Sequence, residues 1–271
     1  MREFDVFVFL GQSNMQGQAE GLPEANPSVE GAFEYRCLTD TLVPLAHPVG
    51  ETVLWGMKPM TFSADYVWDV WDEIAFLSAH NGGASLAPYF ANAYVKKCGR
   101  GVIAVHCAKG ATRIAEWTSE TKRFDHAVKK TMLAVEKARS QGIAVKDVYV
   151  LWFQGESDAE AGTPKSDYKK ALTQIKNAWK KAACIRRFGI VRVGNFAMDE
   201  RDDAIQSAQD ELCVSDADFF MATRITERIF GQTEMMNPDA FGHFGIKGLE
   251  AIGNDAGKNF ARENALDKGA L

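Results

Sequence analysis

Cysteine is sparse in this 271-residue chain: its five copies, Cys37, Cys98, Cys107, Cys184 and Cys213, are scattered, with no CxxC pair and no histidines at metal-ligand spacing. That distribution argues against a disulfide framework or a structural zinc site and fits buried or free thiols in a reducing compartment. Long apolar runs are missing too. The longest near the start, Val6 to Leu10, is far too short to cross a bilayer. No apolar signal core precedes a cleavage site, so a cytoplasmic location is expected. Positive charge is not in excess: 31 Lys and Arg stand against 36 Asp and Glu, a net charge of -5. With no basic stripe to neutralise phosphates, neither nucleic acid nor a membrane is an expected partner. Internal repeats, low-complexity tracts and linkers are absent, and no feature encodes an oligomeric state.

What is present reads as one globular domain over residues 1–271. Hydrophobic residues make up 46% and charged residues 25%, the balance of a soluble folded protein, and the length suits one large core. Phe4 to Leu10 is aromatic and β-branched throughout, the pattern of a strand buried on both faces. Residues 11 to 85 are rich in Gly, Pro, Asn and Trp without sustained periodicity, and are expected to be long loops with short helical turns. Regular alternation comes after them. Strands are predicted at Gly101–Cys107, Val145–Phe153, Phe188–Val193 and Phe219–Ala222, and helices at Leu86–Cys98, Phe124–Ala138, Asp167–Ala183, Ile205–Val214 and Gly248–Phe260. The architecture expected is α/β, a three-layer α/β/α sandwich around a mostly parallel five-stranded sheet. Active residues in such a sheet collect at the carboxyl ends of the strands.

Three segments at such ends carry chemistry. The first strand runs into Gly11-Gln12-Ser13-Asn14-Met15, where Ser13 sits between strand and turn. A serine there either caps a helix or, given a base and an oxyanion site, attacks as a nucleophile. The third predicted strand ends in Trp152-Phe153-Gln154-Gly155-Glu156-Ser157-Asp158. Gln154 offers an amide toward an oxyanion, while Glu156 and Asp158 either serve the site or cap the next segment of the chain. Near the C-terminus His243 lies in a Gly-flanked loop, with Asp239 four residues earlier as a candidate to orient its imidazole. His47, His80, His106 and His126 have no comparable setting.

Together these segments resemble the SGNH-hydrolase superfamily, specifically its sialate O-acetylesterase-like group and family six of the carbohydrate esterases. Gly-Gln-Ser-Asn-Met at 11–15 matches the group's nucleophile block. Trp-Phe-Gln-Gly-Glu at 152–156 matches its Trp-His-Gln-Gly-Glu block, and His243-Phe244 with Gly248 resembles its histidine block. Ala111-Thr112-Arg113 with Glu116-Trp117 is similar to its Gly-Thr stretch ending in Trp. The resemblance implies a flavodoxin-like fold that hydrolyses acetyl esters on sugars without metal or cofactor. It assigns Ser13 as nucleophile, His243 as base and then acid, and an oxyanion hole of the Ser13 N–H, a glycine N–H and the Gln154 side chain. Gln12, Arg113 and Trp117 would line the substrate site, Trp117 being equally suited to the core.

Three departures qualify the match. The Asp239–His243 spacing is one residue longer than the group's Asp-x-x-His, which leaves Asp239 and Glu156 as alternative triad acids. Phe153 replaces the usual His. No clean glycine block is found, and Gly83 is taken as the oxyanion donor because it precedes the helix at Leu86. The expected substrate is a small-molecule or oligosaccharide ester, such as an acetylated xylo-oligosaccharide or sialic acid. A hydrolase of another acyl ester (a lysophospholipase or thioesterase) and a non-catalytic carbohydrate-binding protein on the same fold are the alternatives.

Overall fold

Residues Glu3–Gly11 form β1, and every residue of it except Glu3 is buried. Burial on both faces follows from its position: β1 pairs in parallel with a strand on either side, at Gly101–Ala108 and at Ala144–Phe153. A strand so placed needs apolar side chains at odd and even positions alike. The computed structural model describes residues 2–25, 29–53 and 78–266. In chain order its elements are β1 (Glu3–Gly11), α1 (Ser13–Gln16), β2 (Ala32–Arg36), β3 (Thr41–Pro44), α2 (Ala87–Cys98), β4 (Gly101–Ala108), α3 (Lys122–Ser140) and β5 (Ala144–Phe153). They continue with α4 (Glu156–Glu160), α5 (Lys165–Ala183), β6 (Arg187–Val191), α6 (Glu200–Ser215), β7 (Phe219–Thr223), α7 (Thr226–Ile229) and α8 (Ile246–Leu266).

The sheet has seven strands in the order β3-β2-β4-β1-β5-β6-β7, all parallel except the β2–β3 pair. The five strands predicted from the sequence are all present, and β4-β1-β5-β6-β7 reproduces the flavodoxin-like order. The expected strand count, and the reading of 11–85 as loop with short helical turns, are corrected by β2 and β3, while α1 is such a turn. These elements are only four or five residues long, too short for periodicity to appear, and β2 is held by the otherwise open edge of β4. Trp55, Trp68 and Trp71 lie outside the described residues.

Alternate residues of β1 face different layers. Phe7 packs within 4.8–5.2 Å of the Phe90, Tyr94, Tyr149 and Phe260 rings, under α2 and α8. On the other face Trp152 meets Trp117 and Phe188, at ring separations of 5.8 and 6.1 Å. Local sequence fixes the helix ends. Thr121 accepts a hydrogen bond from Phe124 N at the start of α3, Asp199 accepts from Arg201 N before α6, and Gly99 closes α2 in the left-handed conformation. Among the described residues no helix is long and apolar enough to cross a membrane.

The core also holds a polar cluster beneath β4. Lys130, fully buried, donates to the His106 carbonyl at 3.1 Å and pairs with Glu51 at 3.3 Å. Ser78 bonds His126 Nε2 at 2.9 Å, and Glu34 pairs with Arg36 at 2.7 Å. Burial pushes the Glu34 carboxyl up to about 7 and His126 down to about 3. The two act oppositely on stability. Glu34 binds its proton more tightly when folded, so its contribution is present below about 4.5 and lost as pH rises through about 7. His126 stays neutral when folded, so its contribution is present above its ordinary 6.5 and lost as pH falls toward about 3. His126→Gln is therefore expected to flatten the acid limb of stability between those values, by up to about 1.4 kcal/mol per pH unit. Urea unfolding at a series of pH values measures it, and an unchanged slope would show that His126 titrates normally.

Candidate active site

The carboxyl ends of β4, β1 and β5 lie side by side, at the point where the chain switches from one half of the sheet to the other. β1 leaves this edge through Gly11 (φ +150°), where a Cβ would fall 2.1 Å from the Phe153 carbonyl oxygen. Only glycine lets the two strand ends approach so closely. Gln12 N then donates to that carbonyl at 3.0 Å, and α1 begins at Ser13.

Ser13 and His243 line one cavity of about 380 Å³, together with Gln12, Gln16, Gln18, Asn81 and Ser157. This lies toward the small end of ligand sites, about 300–1,000 Å³. Ser13 is only 5% exposed, so its hydroxyl sits at the floor. Gly110, from the end of β4, is against it: a Cβ there would stand 3.3 Å from Ser13 Cβ and 3.0 Å from Gln18 Nε2. The missing side chain leaves space beside the hydroxyl. Gly110 N donates to Gln16 Oε1 at 3.1 Å.

His243 Nδ1 is 2.8 Å from the carbonyl oxygen of Phe241. That oxygen only accepts, so Nδ1 carries the proton and Nε2 has the free lone pair of a base. The loop is closed by Asn237 N donating to His243 O at 2.8 Å and His243 N to Ala240 O at 3.2 Å. Its fastening to the nucleophile segment is Asn14, 2% exposed. Asn14 Nδ2 donates to Glu156 Oε1 at 2.8 Å and to Gly242 O at 3.3 Å, and its Oδ1 accepts from Phe244 N at 3.0 Å. One amide thus holds the residues on either side of His243. Burial raises the Glu156 carboxyl, with the Asn14 bond working against the shift.

The residues named from the sequence divide accordingly. Gln12, Ser13 and His243 meet at the cavity. Gln12 Oε1 also accepts from Ser157 N at 3.2 Å, tying the first and third segments. Glu156 lies behind the cavity and reaches the histidine loop through Asn14. Asp239 is exposed, its N–H bonded to Asn237 Oδ1, while the Nδ1 partner of His243 is the main chain. Gln154 is fully buried outside the lining, its amide donating to Asp158 at 2.6 Å and Thr112 O at 2.9 Å. Gly83 is packed on Ala19, whose carbonyl oxygen would sit 2.5 Å from a Cβ. Trp117 is 1% exposed and donates to Thr112 Oγ1 at 3.1 Å, so the core reading holds for it. Arg113 borders a separate hollow beside Thr163 and Asp167. Gly110 and Asn14 are the residues that sequence reasoning missed. Gly110 had a signal, since it follows β4 as Gly11 ends β1. Among the described residues no three His, Cys, Asp or Glu side chains converge as a metal site.

The family model for carbohydrate esterases, sialic acid-specific acetylesterase, matches residues 3–260. The chain belongs to this family. A probable carbohydrate esterase of Arabidopsis thaliana is 30% identical to this esterase-family chain over 159 residues, 56% of this chain and 54% of the relative. The matched stretch thus spans about half of that relative's length. An X-ray structure of the same plant protein superposes with a TM-score of 0.62 at 18% identity, covering 96% of this chain and 98% of that one. NanS superposes with a TM-score of 0.67 at 13% identity, covering 98% of both chains. A lipase/acylhydrolase from Enterococcus faecalis gives 0.50 at 10% identity, with 97% of both covered. These likenesses establish the fold.

The Asn14 fastening has a measurable consequence in this esterase-family chain. Asn14→Leu leaves Phe244 N without its partner, at about 1–3 kcal/mol, and removes the side-chain donor to the buried Glu156 carboxyl. Hydrogen exchange at the Phe244 amide is expected to quicken by about tenfold or more, while the β1 amides change only with global stability. Equal changes at both would mean that Asn14 supports the whole fold instead of the loop.

Proposed function

We propose that the protein is a serine esterase that removes acetyl groups from carbohydrates. The observation that carries this reading is the shared cavity of Ser13 and His243, with the imidazole held by the Phe241 carbonyl so that Nε2 is its basic nitrogen. In the reaction His243 Nε2 takes the Ser13 hydroxyl proton as Oγ attacks the acetyl carbonyl. The Ser13 N–H, at the open start of α1, and the Gly110 N–H, exchanging Gln16 for the substrate, receive the negative oxygen. Collapse breaks the ester bond, and His243 returns the proton to the departing sugar hydroxyl. Water, deprotonated by the same imidazole, then cleaves the acetyl-serine and releases acetate. Orientation of His243 is the task of the Phe241 carbonyl, with Asn14 and Glu156 positioning its loop. Asp239 has no part in it. The amide-rich lining suits a hydroxylated substrate, and family membership supports a carbohydrate.

Hydrolysis of 4-nitrophenyl acetate, butyrate and octanoate by the wild-type and Ser13→Ala proteins tests the reading. Activity confined to acetate and lost by at least about 10³-fold in Ser13→Ala is expected. Preference for octanoate would move the assignment to a lipid or thioester hydrolase. An active Ser13→Ala protein would sink the mechanism. Among the acids, Asp239→Asn and Glu156→Gln are each expected to cost less than about tenfold in kcat/KM, because the His243 Nδ1 partner is main chain. A loss of orders of magnitude in either would make that carboxylate the triad acid.

A further inference from the structure

The His243 side of the cavity carries apolar surface that acetyl transfer leaves unused. Phe196, from the loop after β6, lines the cavity and meets the His243 ring edge-on, with centroids 6.5 Å apart and planes at 87°. Phe241 lies against Phe196 at 5.9 Å and is nevertheless 74% exposed. Phe241 thus extends outward from a cavity-lining ring beside His243, an exposed aromatic surface continuous with the cavity wall.

The occupant follows from chemistry and direction. Besides Phe196 the cavity is lined by Gln12, Gln16, Gln18, Asn81, Lys109 and Glu160, donors and acceptors suited to hydroxyl groups and unsuited to a long acyl chain. A polar lining beside an aromatic ring matches a sugar, whose ring has a hydroxyl edge and a C–H face that packs on aromatic rings. Because His243 delivers its proton to the leaving oxygen, the alcohol half of the ester lies on the His243 side. The acetylated ring then reaches Phe196 first, and Phe241, packed on Phe196 and largely exposed, lies beyond it.

We propose that Phe241, backed by Phe196, forms a second sugar subsite, which binds the ring linked to the acetylated one. The substrate is accordingly an acetylated oligosaccharide in preference to a free monosaccharide. The proposal rests on the acetylesterase reading of Ser13 and His243.

The test compares kcat/KM per acetyl group on chemically acetylated methyl xyloside and acetylated xylotriose. The wild-type protein is expected to favour the trisaccharide by about tenfold, the size of one good aromatic contact. Phe241→Ala is expected to abolish that ratio through KM, and Phe241→Trp to keep it. The ratio is insensitive to damage at the hydrolytic centre, which both substrates use. A wild-type ratio near one, or a ratio unchanged in Phe241→Ala, overturns the subsite. Calorimetric binding of unacetylated xylotriose to the Ser13→Ala protein separates the two readings. Binding that Phe241→Ala abolishes, in a protein whose Ser13 form hydrolyses no ester, keeps the subsite and removes the esterase. Absence of binding in an active esterase does the reverse.

Discussion

The side-chain amide of Asn14 is where three distant parts of the chain are fastened together. It follows the nucleophile candidate by one residue, donates to Glu156 at the start of α4, and holds Gly242 and Phe244 on either side of His243. An amide suits this place because it both donates and accepts, and burial in a low-dielectric setting makes each bond costly to lose. Glu156 supplies the opposite need, an acceptor that keeps the Asn14 amide from rotating. The sheet contributes the frame: without the side-chain-free approach of Gly11 to Phe153, α1 would begin too far from β5 for Asn14 to reach Glu156.

Much of this was legible in the sequence because the frame obeys local rules. Phe4 to Leu10, Gly101 to Cys107 and Val145 to Phe153 are apolar at successive positions, as strands covered on both faces must be, and they occupy the centre of the sheet. Ser13 and His243 were readable because each follows or precedes a regular element at the same sheet edge. Gln154 departs from its expected role for a tertiary reason. Its amide is spent on Asp158 and Thr112, partners separated from it by 4 and 42 positions, so only the second belongs to another part of the chain. Gly83 precedes a helix, yet the glycine beside Ser13 is Gly110, which follows a neighbouring strand by two residues. The carboxyl-end rule that located Ser13 applies equally there.

Other features lay beyond any local pattern. Lys130 stands beside Lys129 in α3, yet it is buried and compensated by Glu51 and a main-chain carbonyl from β4. Phe241 poses the reverse case, a large aromatic residue left in water beside the cavity. Neither side of that inversion leaves a trace in periodicity, because the compensation comes from residues remote in sequence.

The carbonyl of Phe241 has a consequence for how this site tolerates change. Every residue type carries a main-chain carbonyl, so no side-chain replacement at position 241 deletes the group that accepts the imidazole proton, and no change of acidity neutralises it. What the arrangement fixes instead is the length and path of the loop from Asn237 to His243. An inserted or deleted residue there is the damaging event. Where the main chain orients His243, as proposed, the longer interval between Asp239 and His243, a defect under a carboxylate triad, becomes simply the span this loop requires.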